Sequence, residues 1–288
     1  MNNIRKFDII VGNPPYQKSK DRKTDTQKGT CGTIIWDKFV DKAIDICEDE
    51  GYICLIHPAG WRRPSKKSQD IGDKIKSNKL MYLELHSIED GLKTFNASTN
   101  YDWYILQKHP NNQKTVIIDY DGNVENIDVS NLPFIPNRNI KEVKKILANN
   151  KNDRIEMIHS YSLYETRKSW MSKSKTDTHK FPCIYSLPQK GMQLFYSSIN
   201  TGHFGIPKVI FTNGAASQII LDSTGEYGLT QFAYGIVDTV DNLRMIQKAM
   251  KCSKFIAFCK NFKFTFDRYD YNYISLFRKD FWKEFINE

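Results

Sequence analysis

The sequence predicts an α/β domain built on part of an open sheet, followed by an α+β domain. Three observations predict it: a strand, helix, strand succession at the start, a break at 133–139 followed by a change of composition after the helix at 140–149, and 40% hydrophobic residues in 288, enough for a sizeable core. Phe7, Ile9, Ile10 and Val11 form a short apolar run that Gly12, Asn13 and two prolines end abruptly, as for a buried strand. Trp36, Phe39, Val40, Ala43, Ile44 and Cys47 then recur at helical spacing, which predicts a helix over 34–50 stopped by Gly51. The next strand falls at 52–57. Parallel neighbours need a crossover that is usually a helix, so this order predicts parallel pairing.

Further strands are expected at 80–85 and 101–107, with an irregular 90–100 between them, and a hairpin at 115–120 and 124–129 joined by Asp121 and Gly122. Two prolines and several asparagines interrupt 133–139. One helix follows at 140–149, and the chain then becomes rich in aromatics, Ser and Thr. The domains are therefore expected at 1–135 and 136–288. The second contains strand-like segments at 207–211, 217–221 and 228–237, helical ones over 241–260, and an aromatic tail.

The net charge of +9, from 42 Lys and Arg against 33 Asp and Glu, suits a polyanionic partner without requiring one. Six cysteines contain no C-x-x-C pair and the six histidines are scattered, so no metal site and no disulfide framework is expected. No apolar run approaches the roughly 18 to 20 residues that cross a bilayer, and the polar start lacks a signal-peptide core. The chain reads as cytoplasmic, with no membrane partner.

Asn13, Pro14, Pro15 and Tyr16 follow the first strand directly, at the mouth of the sheet where such folds bind ligands. Their chemistry suits an amino group whose lone pair is delocalised into a π system and is a poor nucleophile. Two acceptors that take both N–H bonds rehybridise it: the Asn13 carbonyl oxygen and the Pro14 backbone carbonyl, the latter held by Pro15. The acceptors also stabilise the positive charge that grows on nitrogen, while the Tyr16 ring holds the planar group in register. As a plain structural element the same tetrapeptide is a rigid turn that ends a strand.

At these residues the sequence resembles the S-adenosylmethionine-dependent amino-methyltransferases that carry Asn-Pro-Pro-Tyr, in particular the Eco57I-type adenine-specific DNA methyltransferases. The resemblance implies a partial Rossmann-like methyltransferase sheet, containing only its later strands, followed by a target-recognition domain. It extends to 36–58, where Phe39 would border the cofactor with Asn13, and to Thr94, Phe95, Asn96, Ser98 and Thr99, where Phe95 would stack on the flipped base with Tyr16. Segment 206–212 is similar to a strand of the family's recognition part. Phe39 on periodicity alone is a core residue of its helix. Basic residues Lys18, Lys20, Arg22 and Lys23, then Arg62, Arg63, Lys66 and Lys67, each follow a strand end on the ligand side and would meet DNA phosphates. Lys168, Lys173, Lys175 and Lys180 would extend that surface.

The family's glycine-rich cofactor loop, Phe-x-Gly-x-Gly, occurs nowhere in the chain, and only 12 residues precede Asn13. The expectation is a catalytic and recognition half whose first strand is an exposed apolar edge, completed by a partner chain that carries the loop. The resemblance implies site-specific N6-adenine methylation of double-stranded DNA in a bacterial or phage-derived restriction-modification setting. One alternative is an inactive DNA-binding specificity subunit; another is a methyltransferase acting on rRNA or a protein glutamine.

Overall fold

The computed structural model describes residues 5–18, 33–64, 66–213, 218–263 and 270–286, and leaves the side chains of 66–69 undescribed. The chain divides into two compact units, 1–141 and 142–288.

In the first unit the elements run β1 (Phe7–Gly12), α1 (Trp36–Ile46), β2 (Cys47–Pro58), α2 (Lys66–Ser77), β3 (Asn78–His86), α3 (Ile88–Phe95), β4 (Tyr101–Pro110), β5 (Thr115–Ile118) and β6 (Val124–Ile127). Among the described residues the strands form one six-stranded sheet in the order β1-β2-β4-β3-β5-β6. The α/β class holds, but the sheet is mixed. β1 and β2 are parallel, with α1 as their crossover, and β4 then inserts antiparallel between β2 and β3. Sequence order does not reveal that insertion, because β4 returns past its own predecessor.

Helix α1 stops five residues before Gly51, and β2 begins at once with a bulge opposite Phe7. Gly51 is needed for a different reason: a Cβ there would lie 2.9 Å from the Asp8 carbonyl oxygen, so its lack of a side chain lets β1 and β2 close.

The two faces of this sheet differ. On one, Ile53, Leu55, His57, Leu83, Leu85 and Tyr104 are buried, with Trp36 of α1 stacked on His57 at 4.6 Å and Ile71 and Ile75 of α2 buried as well. The opposite face carries Ile9, Val11, Tyr52, Cys54, Ile56, Tyr82, Trp103 and Ile105, none of them buried. Ile9 is 67% exposed and Val11 73%. Sheets with parallel pairs ordinarily have both faces covered, so this apolar face is unusual among the described residues.

Beneath the covered face lies a buried ion pair. Arg62 is 2% exposed, and its Nε donates to Asp102 Oδ2 at 2.7 Å. Its Nη1 donates to the Ile135 carbonyl and Asn137 Oδ1, both at 2.9 Å, and Nη2 reaches the Tyr120 hydroxyl at 3.5 Å. His57 is fully buried. Its Nδ1 donates to the Pro58 carbonyl and its Nε2 accepts from the Tyr104 hydroxyl, each at 3.1 Å.

Burial lowers the His57 pKa to about 4 against an ordinary value of 6.5. Between those pH values the unfolded chain binds more protons, so stability falls as pH drops from 6.5 toward 4, by at most about 3 kcal/mol from this residue. Denaturant midpoints measured from pH 7 to 4 should decrease through that window, less steeply in His57→Gln; parallel slopes for the two proteins contradict a buried neutral ring.

Helix α4 (Ile140–Ile146) runs across the division between the units. The second unit then contains β7 (Glu156–Ile158), β8 (Met171–Ser172), β9 (Phe181–Ser186), β10 (Gln193–Ser197), β11 (Lys208–Thr212), β12 (Ile220–Asp222), β13 (Gly228–Leu229) and β14 (Ala233–Val237). It ends with α5 (Val240–Lys251), α6 (Ser253–Cys259) and α7 (Tyr271–Ile274). Its strands form two four-stranded sheets, β13-β9-β10-β8 and β12-β11-β14-β7. β11 is buried along its whole length. Its Lys208 is held inside by Asp222 Oδ2 at 2.7 Å and by the His203 and Ile206 carbonyls. The aromatic tail packs on itself, Phe255, Phe277, Phe281 and Phe285 forming one cluster of rings.

Candidate active site

The tetrapeptide sits where β1 ends. β1 pairs with β2 as far as Gly12, and the fixed backbone angle of proline prevents the strand from continuing. Pro14 is buried and anchors the corner, while Asn13 and Pro15 are exposed. Neither the Asn13 amide nor the Pro14 carbonyl has a hydrogen-bond partner among the described residues. The corner is tied down just beyond, by Ile35 N–H donating to the Tyr16 carbonyl at 3.3 Å and by the Gln17–Ile34 bridge. These bonds place the first turn of α1 beside the tetrapeptide.

The structure brings Tyr16 and Phe95 near each other. Their centroids are 6.4 Å apart at an interplanar angle of 78°, and Tyr101 meets Phe95 edge-on from the other side at 4.8 Å. The two rings meet edge to face, so holding a base between them requires one to turn. The Tyr16 hydroxyl is buried without a partner among the described residues, and burial raises its pKa, which keeps it protonated and a donor.

Phe95 is delivered by α3, a helix that the reading of 90–100 as irregular misses. Its start is a capping box: Ser87 Oγ accepts from Asp90 N–H at 3.3 Å, and Asp90 Oδ2 accepts from Ser87 N–H at 2.9 Å. The signal was present in Ser87-Ile-Glu-Asp. Asn96 ends the helix in the left-handed conformation at φ 52°, and Gly91 lets the chain fold back where a Cβ would collide with the Thr99 carbonyl. Thr94 bonds the Tyr101 hydroxyl at 3.2 Å, fixing the ring behind Phe95.

Phe39, on the first turn of α1, is 47% exposed, so it is not the core residue that its periodicity suggests. The helix buries Trp36, Val40 and Ala43 instead. An exposed aromatic ring on a turn tied to a free amide suits a cofactor with an adenine ring and a reactive centre near it. The chemistry of the two side chains, an exposed ring and an exposed amide, is compatible with S-adenosylmethionine.

The basic residues divide. Lys18 is exposed, whereas Lys20, Arg22 and Lys23 lie outside the described residues, as do the side chains of Lys66 and Lys67. Arg63 is half-buried. Arg62 corrects the sequence reading: its guanidinium is enclosed by Asp102 and four further acceptors and cannot meet a phosphate. A charge in a basic run gives no sign of whether a carboxylate 40 residues away will claim it. In the second unit Lys173, Lys175 and Lys180 are exposed, while Lys168 lies over the Trp170 ring at 5.5 Å.

With this geometry in place, comparison with known proteins identifies the segment that builds it. Residues 1–95 match the Eco57I restriction-modification methylase family. The Eco57I-matched segment thus contains β1, the tetrapeptide, α1 and α3 through Phe95. A curated protein of Mycoplasma pneumoniae, described as an uncharacterized adenine-specific methylase, is 39% identical over 77 residues, which are 26% of this chain and 17% of that protein. Among solved structures, the Type IIL restriction-modification enzyme MmeI in complex with DNA aligns with 93% of this chain and 45% of its own, at 9% identity and a TM-score of 0.49. The M protein of the Type I restriction enzyme EcoKI aligns with 41% of this chain and 26% of its own, at 17% identity and a TM-score of 0.29. The chain thus spans less than half the length of each of these relatives. No helix of the described residues is long and apolar enough to cross a membrane.

Proposed function

We propose that the chain carries the amine-activating part of a DNA N6-adenine methyltransferase that works in the cytoplasm within a restriction-modification system. The observation that carries this is the corner at Asn13 and Pro14, whose two oxygens are without partners among the described residues and lie next to Tyr16, whose ring meets Phe95. Asn13 Oδ1 and the Pro14 carbonyl each accept an N–H of the adenine amino group, which frees its lone pair and offsets the charge developing on nitrogen. Tyr16 or Phe95 turns to stack on the extruded base, which repays part of the few kcal/mol of unstacking. When bound, S-adenosylmethionine supplies an electrophilic methyl group, and Phe39 and Asn13 form this chain's share of its site.

The open face of the first unit supports the partner part of the reading. A completing α/β segment pairs with β1, lays helices over Ile9, Val11 and Tyr52, and brings the glycine-rich wall of the cofactor site. The exposed lysines of both units meet the DNA backbone, and the second unit reads sequence.

The test is methyl transfer from labelled S-adenosylmethionine to duplex DNA by the assembled protein, with the product digested to nucleosides. Label in N6-methyl-2′-deoxyadenosine is expected. Label in rRNA or in a protein glutamine instead overturns the substrate assignment, and salt-dependent duplex binding with no transfer under any combination favours an inactive specificity subunit.

A further inference from the structure

The second unit contains a group of rings that its packing leaves chemically incomplete. His159, directly after β7, faces Tyr234 of β14 at 4.3 Å, Tyr271 of α7 at 5.3 Å and Tyr161 at 4.3 Å, the last edge-on at 88°. Tyr271 also stacks on Tyr234 at 4.9 Å. Asn213, which follows β11, donates its Nδ2 to the Tyr234 hydroxyl at 2.8 Å. Tyr234 thus meets a histidine ring and a carboxamide, and also stacks on Phe211 at 5.6 Å.

Among the described residues two polar atoms in this group are buried without a partner: His159 Nε2 and Asn213 Oδ1. Their chemistry is the same. His159 Nδ1 lies 3.1 Å from the Ala233 carbonyl, which can only accept, so Nδ1 carries the proton and Nε2 presents a bare lone pair. Burial lowers the pKa of the ring and keeps it neutral. Asn213 donates one of its two amino N–H bonds to Tyr234, and its carbonyl oxygen is the buried atom left without a partner among the described residues. A buried acceptor left unpaired is destabilising, and two such atoms around one tyrosine point to a donor that arrives from outside.

We infer that this group is a recognition site for the exocyclic amino group of a nucleobase, adenine or cytosine, with His159 and Asn213 as its acceptors. The inference rests on the DNA reading above and assigns particular residues to sequence recognition. The amino group of a paired adenine or cytosine presents one N–H to the major groove, which the two acceptors share, and brings no competing charge, while the base edge beside it can meet the tyrosine rings. Tyr161 is the ring that gives way: it is 67% exposed, the others are half-buried or buried, and an exposed side chain loses little on moving. Guanine and thymine meet these acceptors with oxygen at the corresponding major-groove positions and are rejected.

The experiment uses the assembled protein. Duplexes bound by wild type are selected from a randomised pool, and in the resulting consensus each adenine is replaced by purine and each cytosine by 2-pyrimidinone, removing one amino group at a time. At one position the deletion is expected to weaken wild-type binding by roughly 5- to 150-fold, the range for one good base contact. In His159→Phe and in Asn213→Ala, each checked for an unchanged melting profile, the same deletion is expected to have at most about a third of that effect. Discrimination undiminished in both variants, or in whichever one remains folded, overturns the inference while leaving the DNA reading intact. Failure of wild type to bind any duplex overturns both.

Discussion

Asn13→Ala is expected to lower methyl transfer by roughly 10²- to 10³-fold, the effect of removing one preorganised group aimed at developing charge. Duplex affinity should change by less than about twofold, because Asn13 is exposed, makes no bond within the described residues and contacts an amino group rather than the DNA backbone. The corner itself should survive, since Pro14 supplies its buried anchor and the backbone bonds at Tyr16 and Gln17 do not involve the side chain. Single-turnover transfer with saturating S-adenosylmethionine, alongside a binding titration, separates the two quantities. Asn13→Asp keeps an acceptor and should retain more activity than the alanine variant. Equal loss of binding and transfer in Asn13→Ala would make the corner a structural element.

The second large effect is on stability. Asp102→Ala removes the carboxylate from a site where Arg62 is almost wholly enclosed, so the guanidinium is left with a buried, uncompensated charge. A loss of about 3–5 kcal/mol is expected, visible as a lower denaturant midpoint. The pair connects the turn after β2, strand β4 and segment 135–137, so the loss reaches well beyond one side chain. Replacing both partners, as Arg62→Met with Asp102→Leu, should recover most of the stability because no buried charge remains. A double variant as unstable as Asp102→Ala would show that the hydrogen bonds to 135–137 matter more than charge compensation.

How much of this was legible in the sequence varies with length and burial. β1, α1 and β2 are long enough for their apolar spacing to specify them, and the Asn-Pro-Pro-Tyr corner follows from the end of β1. β8 and β13 have two residues each and β7 has three, too few for any alternation to show. They exist because neighbouring strands pair with them. The place of β4 depends on which edge of β2 was free, a property of the assembled sheet. At the site, the pairing of Tyr16 with Phe95 was visible through resemblance, but the edge-on angle between them was not. Arg62 illustrates the opposite limit: within its basic run it resembles its neighbours, and only the fold brings Asp102 and the carbonyls of 135 and 136 to it.

Under the proposed pairing with a completing segment, the apolar face that the described residues of the first unit leave uncovered would link folding to assembly. A valine or isoleucine moved fully out of water contributes about 1.5–3 kcal/mol, and Ile9 and Val11 alone leave much of that unrealised in this chain. Whatever seats itself there stabilises the native form by mass action, so the melting temperature rises with the amount of that companion. In a cell, the supply of one component would then set the lifetime of the other, and unmatched copies would be the first to be cleared.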